Sequence, residues 1–182
     1  MTANLLDIKS PDWALDVIPT ILGKRCTGKY SAFVDVGCGS AARVLKAVNE
    51  MNIADCVVGI EAHGHTARLA VLNTPDDIAI VNCDVRDFSF SNIEKNSGGP
   101  VAIYLYDPFF RLERGEQIYR YAMLFERIAQ EVGDATIIFL TYCLADPLDV
   151  ILRDLGFVRT EKIKPSTSPT LCVWDRRSLH AA

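Results

Sequence analysis

The pattern of apolar and polar positions changes period repeatedly along the chain. After the helix-opening run Ser10-Pro11-Asp12, Trp13, Val17, Ile18, Ile21 and Leu22 recur at near-helical spacing. They predict a helix over 11–23, with Pro19 as a kink or break. From Ser31 the period shortens. Ala32-Phe33-Val34-Asp35-Val36 is a short β-branched run that ends in Gly37-Cys38-Gly39, and it predicts a buried strand entering a turn. The same reading predicts further strands over 56–61, 78–84, 101–107 and 135–142. Helices are expected over 41–51, 66–72, 116–132 and 147–155, and Ser97-Gly98-Gly99-Pro100 punctuates the chain before the fourth strand. Two final strands, 157–163 and 170–174, flank the turn-rich 165–169.

The first five strands alternate with helices and read as nearly continuous apolar runs, which fits a parallel sheet covered on both faces. The last two have only a five-residue link between them. That is too short for a parallel crossover, so they are expected to pair antiparallel as a hairpin. The fold class is therefore α/β, with a mostly parallel sheet and a mixed C-terminal edge.

Composition narrows the function classes. A chain of 182 residues is the size of one domain, and 49% apolar with 23% charged residues is ordinary for a globular protein. No apolar run approaches the ~18–20 residues of a membrane span, and Met1–Ser10 lacks the features of a secretory leader. No membrane partner is expected. A net charge of −4 disfavours RNA as a bulk partner. The cysteines at 26, 38, 56, 83, 143 and 172 form no C-x-x-C pair, which predicts buried free thiols in a reducing, cytoplasmic setting. With only His63, His65 and His180 as further ligands, no metal is expected.

The candidate chemistry starts at the glycine turn. Gly37 and Gly39 let backbone approach a ligand, and with Ala42 they also satisfy the dinucleotide pattern G-x-G-x-x-A. Glu61 ends the second strand 22 residues after Gly39, where a carboxylate can grip two ribose hydroxyls; the alternative is a cap on the next helix. Asp84, expected to end the third strand, could accept an adenine amino proton or simply serve a turn. Asp35 separates the cofactor classes. A carboxylate two residues before Gly37 would repel a pyrophosphate but welcome an ammonium group. S-adenosylmethionine carries adenine, ribose and an amino-acid tail, and no phosphate.

Together Phe33-Val34-Asp35-Val36-Gly37-Cys38-Gly39-Ser40, Val58-Gly59-Ile60-Glu61 and Val81-Asn82-Cys83-Asp84-Val85 resemble the first three motifs of the class I S-adenosylmethionine-dependent methyltransferases. The resemblance covers 31–176, leaving 1–30 as an N-terminal helical extension. It implies a Rossmann-like, seven-stranded sheet of order 3-2-1-4-5-7-6 with strand 7 antiparallel. It also implies that Asp35, Gly37, Cys38 and Gly39 meet the methionine end, Glu61 with Ala62 the ribose, and Asp84 with the Val85 backbone the adenine. The family's frequent third glycine is Ala41 here.

Asp107-Pro108-Phe109-Phe110 is similar to the D/N-P-P-F/Y/W motif of methyltransferases that act on amine nitrogens. On that resemblance Asp107 and the Pro108 carbonyl would accept hydrogen bonds from the target nitrogen, and Phe110 would stack on a flat or cationic group. Phe109 stands where the motif has its second proline, which leaves the shape of the turn open. The expected substrate is an amine on a small molecule, peptide or protein side chain. The alternatives are a methyltransferase on oxygen or an RNA base, or a catalytically silent binding subunit. His63 and His65 are expected near the adenosine without a chemical role. Arg111, Arg114 and Arg120 are expected to be solvated, and the basic residues of the hairpin to guard a sheet edge.

Overall fold

A computed structural model describes residues 10–93, 99–142, 144–165 and 169–177. Of the positions named above, residues 1–9, Ser97, Gly98, Cys143, the 166–168 turn and His180 lie outside the described residues.

Seven strands form one sheet: β1 (Ala32–Val36), β2 (Val57–Ile60), β3 (Ile78–Val81), β4 (Val101–Tyr106), β5 (Ala135–Thr141), β6 (Val158–Ile163) and β7 (Thr170–Arg176). Their order is β3-β2-β1-β4-β5-β7-β6. β1 to β5 run parallel, and β7 lies antiparallel to both β5 and β6. The short link after β6 leaves no room for a crossover helix, so β7 inserts between β5 and β6.

Successive side chains of the central strands point to opposite faces and build two cores. Val34, Val36, Ile103, Leu105, Ile137 and Phe139 meet Tyr121, Phe125 and Ile128 of α4 (Arg114–Glu131) and Leu148 and Leu152 of α5 (Ala145–Asp154). Phe33, Tyr104, Ile138 and Leu140 pack on the other face. There they meet Ile18 and Leu22 of α1 (Asp12–Arg25), Leu45 and Val48 of α2 (Arg43–Glu50) and Ala70 of α3 (Gly64–Asn73).

Several boundaries differ from the sequence reading. α1 runs through Pro19 without a break. An interior proline costs about 3 kcal/mol, but Pro19 sits buried among Ile18, Ile21 and Leu22, and that burial offsets the loss. Arg25 ties the far end of α1 to the hairpin through Glu161 at 2.8 Å, Thr160 at 2.7 Å and Asp175. β3 stops at Val81, so Asp84 does not end a strand. The Asn82 amide turns the chain away by donating to the Glu61 and Ala62 carbonyls at 2.8 and 3.2 Å. The thiols of Cys38 and Cys172 are buried, but Cys56 is exposed just ahead of β2.

Candidate active site

The C-terminal ends of β1, β2 and β4 lie side by side, with Asp35 in register with Gly59 and Tyr104. Gly59 lets this end close up: a Cβ there would stand 2.6 Å from Leu45 Cδ1 and 2.8 Å from Cys38 Sγ. The glycine turn follows β1 with Gly37 and Gly39 at φ 78° and 64°. A Cβ on Gly37 would sit 3.3 Å from Pro108 Cβ, so this glycine lets the turn meet the end of β4.

The turn does not run straight into a helix. Ser40 to Ala42 extend it, Ala42 adopts φ 45°, and α2 begins only at Arg43. Its amides are also engaged. Gly37 N and Cys38 N donate to the Ile60 carbonyl at 2.8 and 3.1 Å, and Gly39 N donates to Glu61 Oε2 at 3.2 Å.

Glu61 stands immediately after β2. Its Oε1 accepts from His63 N at 2.9 Å, so it braces the start of α3 as well as the glycine turn. The His63 side chain itself caps α3. A carboxylate has about four acceptor sites. Among the described residues each oxygen accepts one bond, so Glu61 retains one free site on each, which matches a vicinal diol. Asp84 is more committed. It accepts from Arg86 N and Nε at 2.9 Å and from Arg86 Nη2 at 2.7 Å, and this pairing lowers its pKa. Among the described residues one acceptor site on Oδ2 remains. Val85 opens a short 3₁₀ turn beside it.

Asp107 follows β4 at φ 38°. A left-handed residue directly before proline is strained, and Asp tolerates the conformation better than most residues. Its carbonyl accepts from Phe110 N at 3.0 Å, which makes Asp107–Phe110 a closed turn with proline at the favoured second position. Phe109 keeps a negative φ, so the turn is type I, and no second proline is needed. The Pro108 carbonyl accepts no hydrogen bond among the described residues. Asp107 is 8% exposed, and Tyr142 N donates to its Oδ2 at 3.4 Å. Burial raises its pKa, opposed by the Thr141 hydroxyl, the Tyr142 amide and the Tyr121 hydroxyl. Phe109 turns inward against Tyr121, with ring centroids 4.9 Å apart. Phe110 is exposed at the rim, with the Arg111 guanidinium 5.3 Å above its ring.

Two cavities meet here. The larger, about 450 Å³, is lined by Gly37, Gly39, Ser40, Glu61, Ala62, His63, His65, Asp84, Val85 and residues 106–111. That is a ligand-sized volume. The smaller, about 20 Å³, lies under Ser10, Arg43 and Tyr104 and is where Asp35 and Cys38 face. Asp35 is 4% exposed, and burial followed by the nearby Glu61 charge lifts its pKa from 3.8 to about 8. Among the described residues no group of three or more His, Cys, Asp or Glu could hold a metal ion.

No family model and no curated protein matches the sequence. Solved structures do. The methyltransferase domain of METTL16 superposes with a TM-score of 0.72 at 12% identity, over 97% of this chain and 88% of that one. Magnesium protoporphyrin IX methyltransferase from Synechocystis PCC 6803, with bound S-adenosylmethionine, gives 0.65 at 12% identity over 90% and 78%. This is the class I methyltransferase fold. Precorrin-6y C5,15-methyltransferase from Geobacter metallireducens gives 0.60 at 15% identity over 98% and 94%.

The site also contains residues that the sequence reading did not assign to it. Arg43 donates to the Ser10 carbonyl at 3.0 Å and pairs with Asp12, which clasps the start of α1 over the glycine turn. Ser10 Oγ meets the buried Tyr104 hydroxyl at 2.9 Å. Tyr142 stands close enough to Tyr106, beside Asp107, to add to the rise in pKa that burial gives Tyr106. These pairs are 31 to 94 residues apart in sequence, or join the ends of two different strands. Only the tyrosine next to the Asp-Pro motif carried a local signal.

Proposed function

We propose that this chain is an S-adenosylmethionine-dependent methyltransferase acting on an amine nitrogen of a small molecule, peptide or protein side chain. The observation that carries the reading is one continuous cavity with the free acceptor sites of Glu61 on one wall and Asp107 with the Pro108 carbonyl on another. Solved proteins of the same fold have been crystallised with S-adenosylmethionine and with its demethylated product.

The residues suit the cofactor. Glu61 would accept from the two ribose hydroxyls, with Ala62 beside it. Asp84 would offer its remaining acceptor site to the adenine amino group, and Val85 its backbone. Asp35 would pair with the ammonium of the amino-acid tail, a charge-assisted bond about twice as strong as a neutral one. Gly37, Cys38 and Gly39 would shape the passage between the two cavities. When bound, the cofactor supplies a methyl group already activated on a sulfonium.

What remains for the protein is positioning. Asp107 and the Pro108 carbonyl would hold the target N–H groups so that the nitrogen lone pair faces the methyl. Asp107, with its raised pKa, is suited to receive the proton that the nitrogen sheds. Phe110 would cover the substrate at the rim. Similar structures include a ribosomal protein L11 methylase, a putative tRNA (m1A22) methyltransferase and a mitomycin 7-O-methyltransferase, so likeness of fold does not select the target. The Asp107-Pro108 acceptor pair favours nitrogen.

The test is transfer of a labelled methyl group into fractionated cell extract, followed by treatment of the product with mild base. A base-stable label that depends on this protein supports the amine. A base-labile label would move the target to a carboxyl oxygen.

A further inference from the structure

We infer that Tyr106 is the side chain that reads the charge of the methyl donor, by presenting its ring to the sulfonium. The inference rests on the cofactor reading above. The two cavities share three lining residues: Gly37, Gly39 and Tyr106. The glycines have no side chains, so among the described residues Tyr106 is the only side chain common to both.

A ligand that puts its nucleoside against Glu61 and its amino-acid tail against Asp35 must cross that junction. In S-adenosylmethionine the atom joining those two halves is the positively charged sulfur. In the demethylated product the same sulfur is neutral. A cation against an aromatic face gains what a neutral thioether does not, and the gain grows where water is excluded.

The ring is held in place for this task. Tyr106 is the last residue of β4, half-buried, and packs against the core on the face of α1 and α2. Burial, and after it the neighbouring Tyr142, raise its pKa. It therefore stays a neutral phenol, with no anion to add a second source of cation preference. Asp35 lines the smaller cavity, and Glu61, Asp84 and Asp107 are the carboxylates of the larger one. All of them survive a change at Tyr106, so the ring's share can be measured separately.

The experiment is calorimetric titration of wild type, Tyr106→Phe and Tyr106→Leu with S-adenosylmethionine and separately with S-adenosylhomocysteine. Melting temperature serves as the folding control. Tyr106→Phe keeps the ring and should bind both ligands as wild type does. Tyr106→Leu should lose roughly 5- to 30-fold for the charged ligand and less than about two-fold for the neutral one. Tyr106→Met fills similar space without a ring and takes the place of the leucine variant should that one fail to fold. Equal losses for both ligands, or no loss for either, overturn the inference while leaving the cofactor reading intact. A wild-type chain that binds neither ligand overturns both.

Discussion

Glu61 holds the backbone of Gly39: its Oε2 accepts the Gly39 amide at 3.2 Å across 22 residues of sequence. The other oxygen accepts from His63 N. One side chain thus joins the turn after β1 to the start of α3, and still has two acceptor sites facing the larger cavity.

Glu61→Ala should therefore have two separable effects. Cofactor binding should fall by well over ten-fold, because both ribose acceptors go. The fold should survive with a loss of about 1–2 kcal/mol from the two unmet amides, or roughly 2–8 °C in melting temperature. Calorimetric titration and a melting curve measure the two. Unchanged affinity with lowered stability would make Glu61 a brace only.

Asp35 gives a pH dependence of definite sign. Its carboxyl holds a proton up to about pH 8 in the folded protein, whereas it is lost near 3.8 in an ordinary setting. Between those values the folded state binds the extra proton, so stability is full below the lower value and is lost as pH rises toward about 8. Asp35→Asn removes that slope. Its melting temperature should exceed that of wild type by a margin that grows from about pH 5 to about pH 8, while its affinity for the cationic cofactor falls. Parallel melting curves for the two proteins across that range would contradict this account of Asp35.

The sheet was legible because each central strand is apolar on both sides, as in Ala32–Val36 and Val101–Tyr106, and only a doubly covered sheet needs that. The five-residue link announced the antiparallel hairpin. Strand order came from the motifs' resemblance to a family, since no local pattern states which strands are neighbours. Glu61 and Asp107 were legible because they end apolar runs. The pairing of Asp84 with Arg86 was two residues away yet invisible, because nothing local tells whether an exposed arginine turns back. The end of β3 was misjudged because Asn82 bonds to carbonyls 20 and 21 residues upstream. The Arg43 clasp and the nearness of Tyr106 to Tyr142 depend on tertiary neighbours in the same way.

Asp107 carries the proposed chemistry, and its backbone conformation shapes how it should be replaced. Asp107→Ala should slow single-turnover methyl transfer roughly 10- to 150-fold, through loss of a hydrogen bond of about 1.5–3 kcal/mol to the incoming nitrogen. Cofactor affinity should hardly change. Asp107→Asn keeps an acceptor oxygen and tolerates the left-handed backbone, so it should be milder. Transfer at the wild-type rate by Asp107→Ala would leave the Asp-Pro-Phe-Phe turn a structural corner and remove the amine assignment.

The central claim is that the cavity between Glu61, Asp35 and Asp107 holds S-adenosylmethionine. It is tested most directly by melting the protein with that ligand, with its demethylated product and with NADH. At ~100 times its dissociation constant a ligand of the folded state adds about 2.7 kcal/mol. For a chain of this size that is roughly 5–10 °C. Such a rise is expected with S-adenosylmethionine and its product and none with NADH; a rise with NADH alone would contradict that claim.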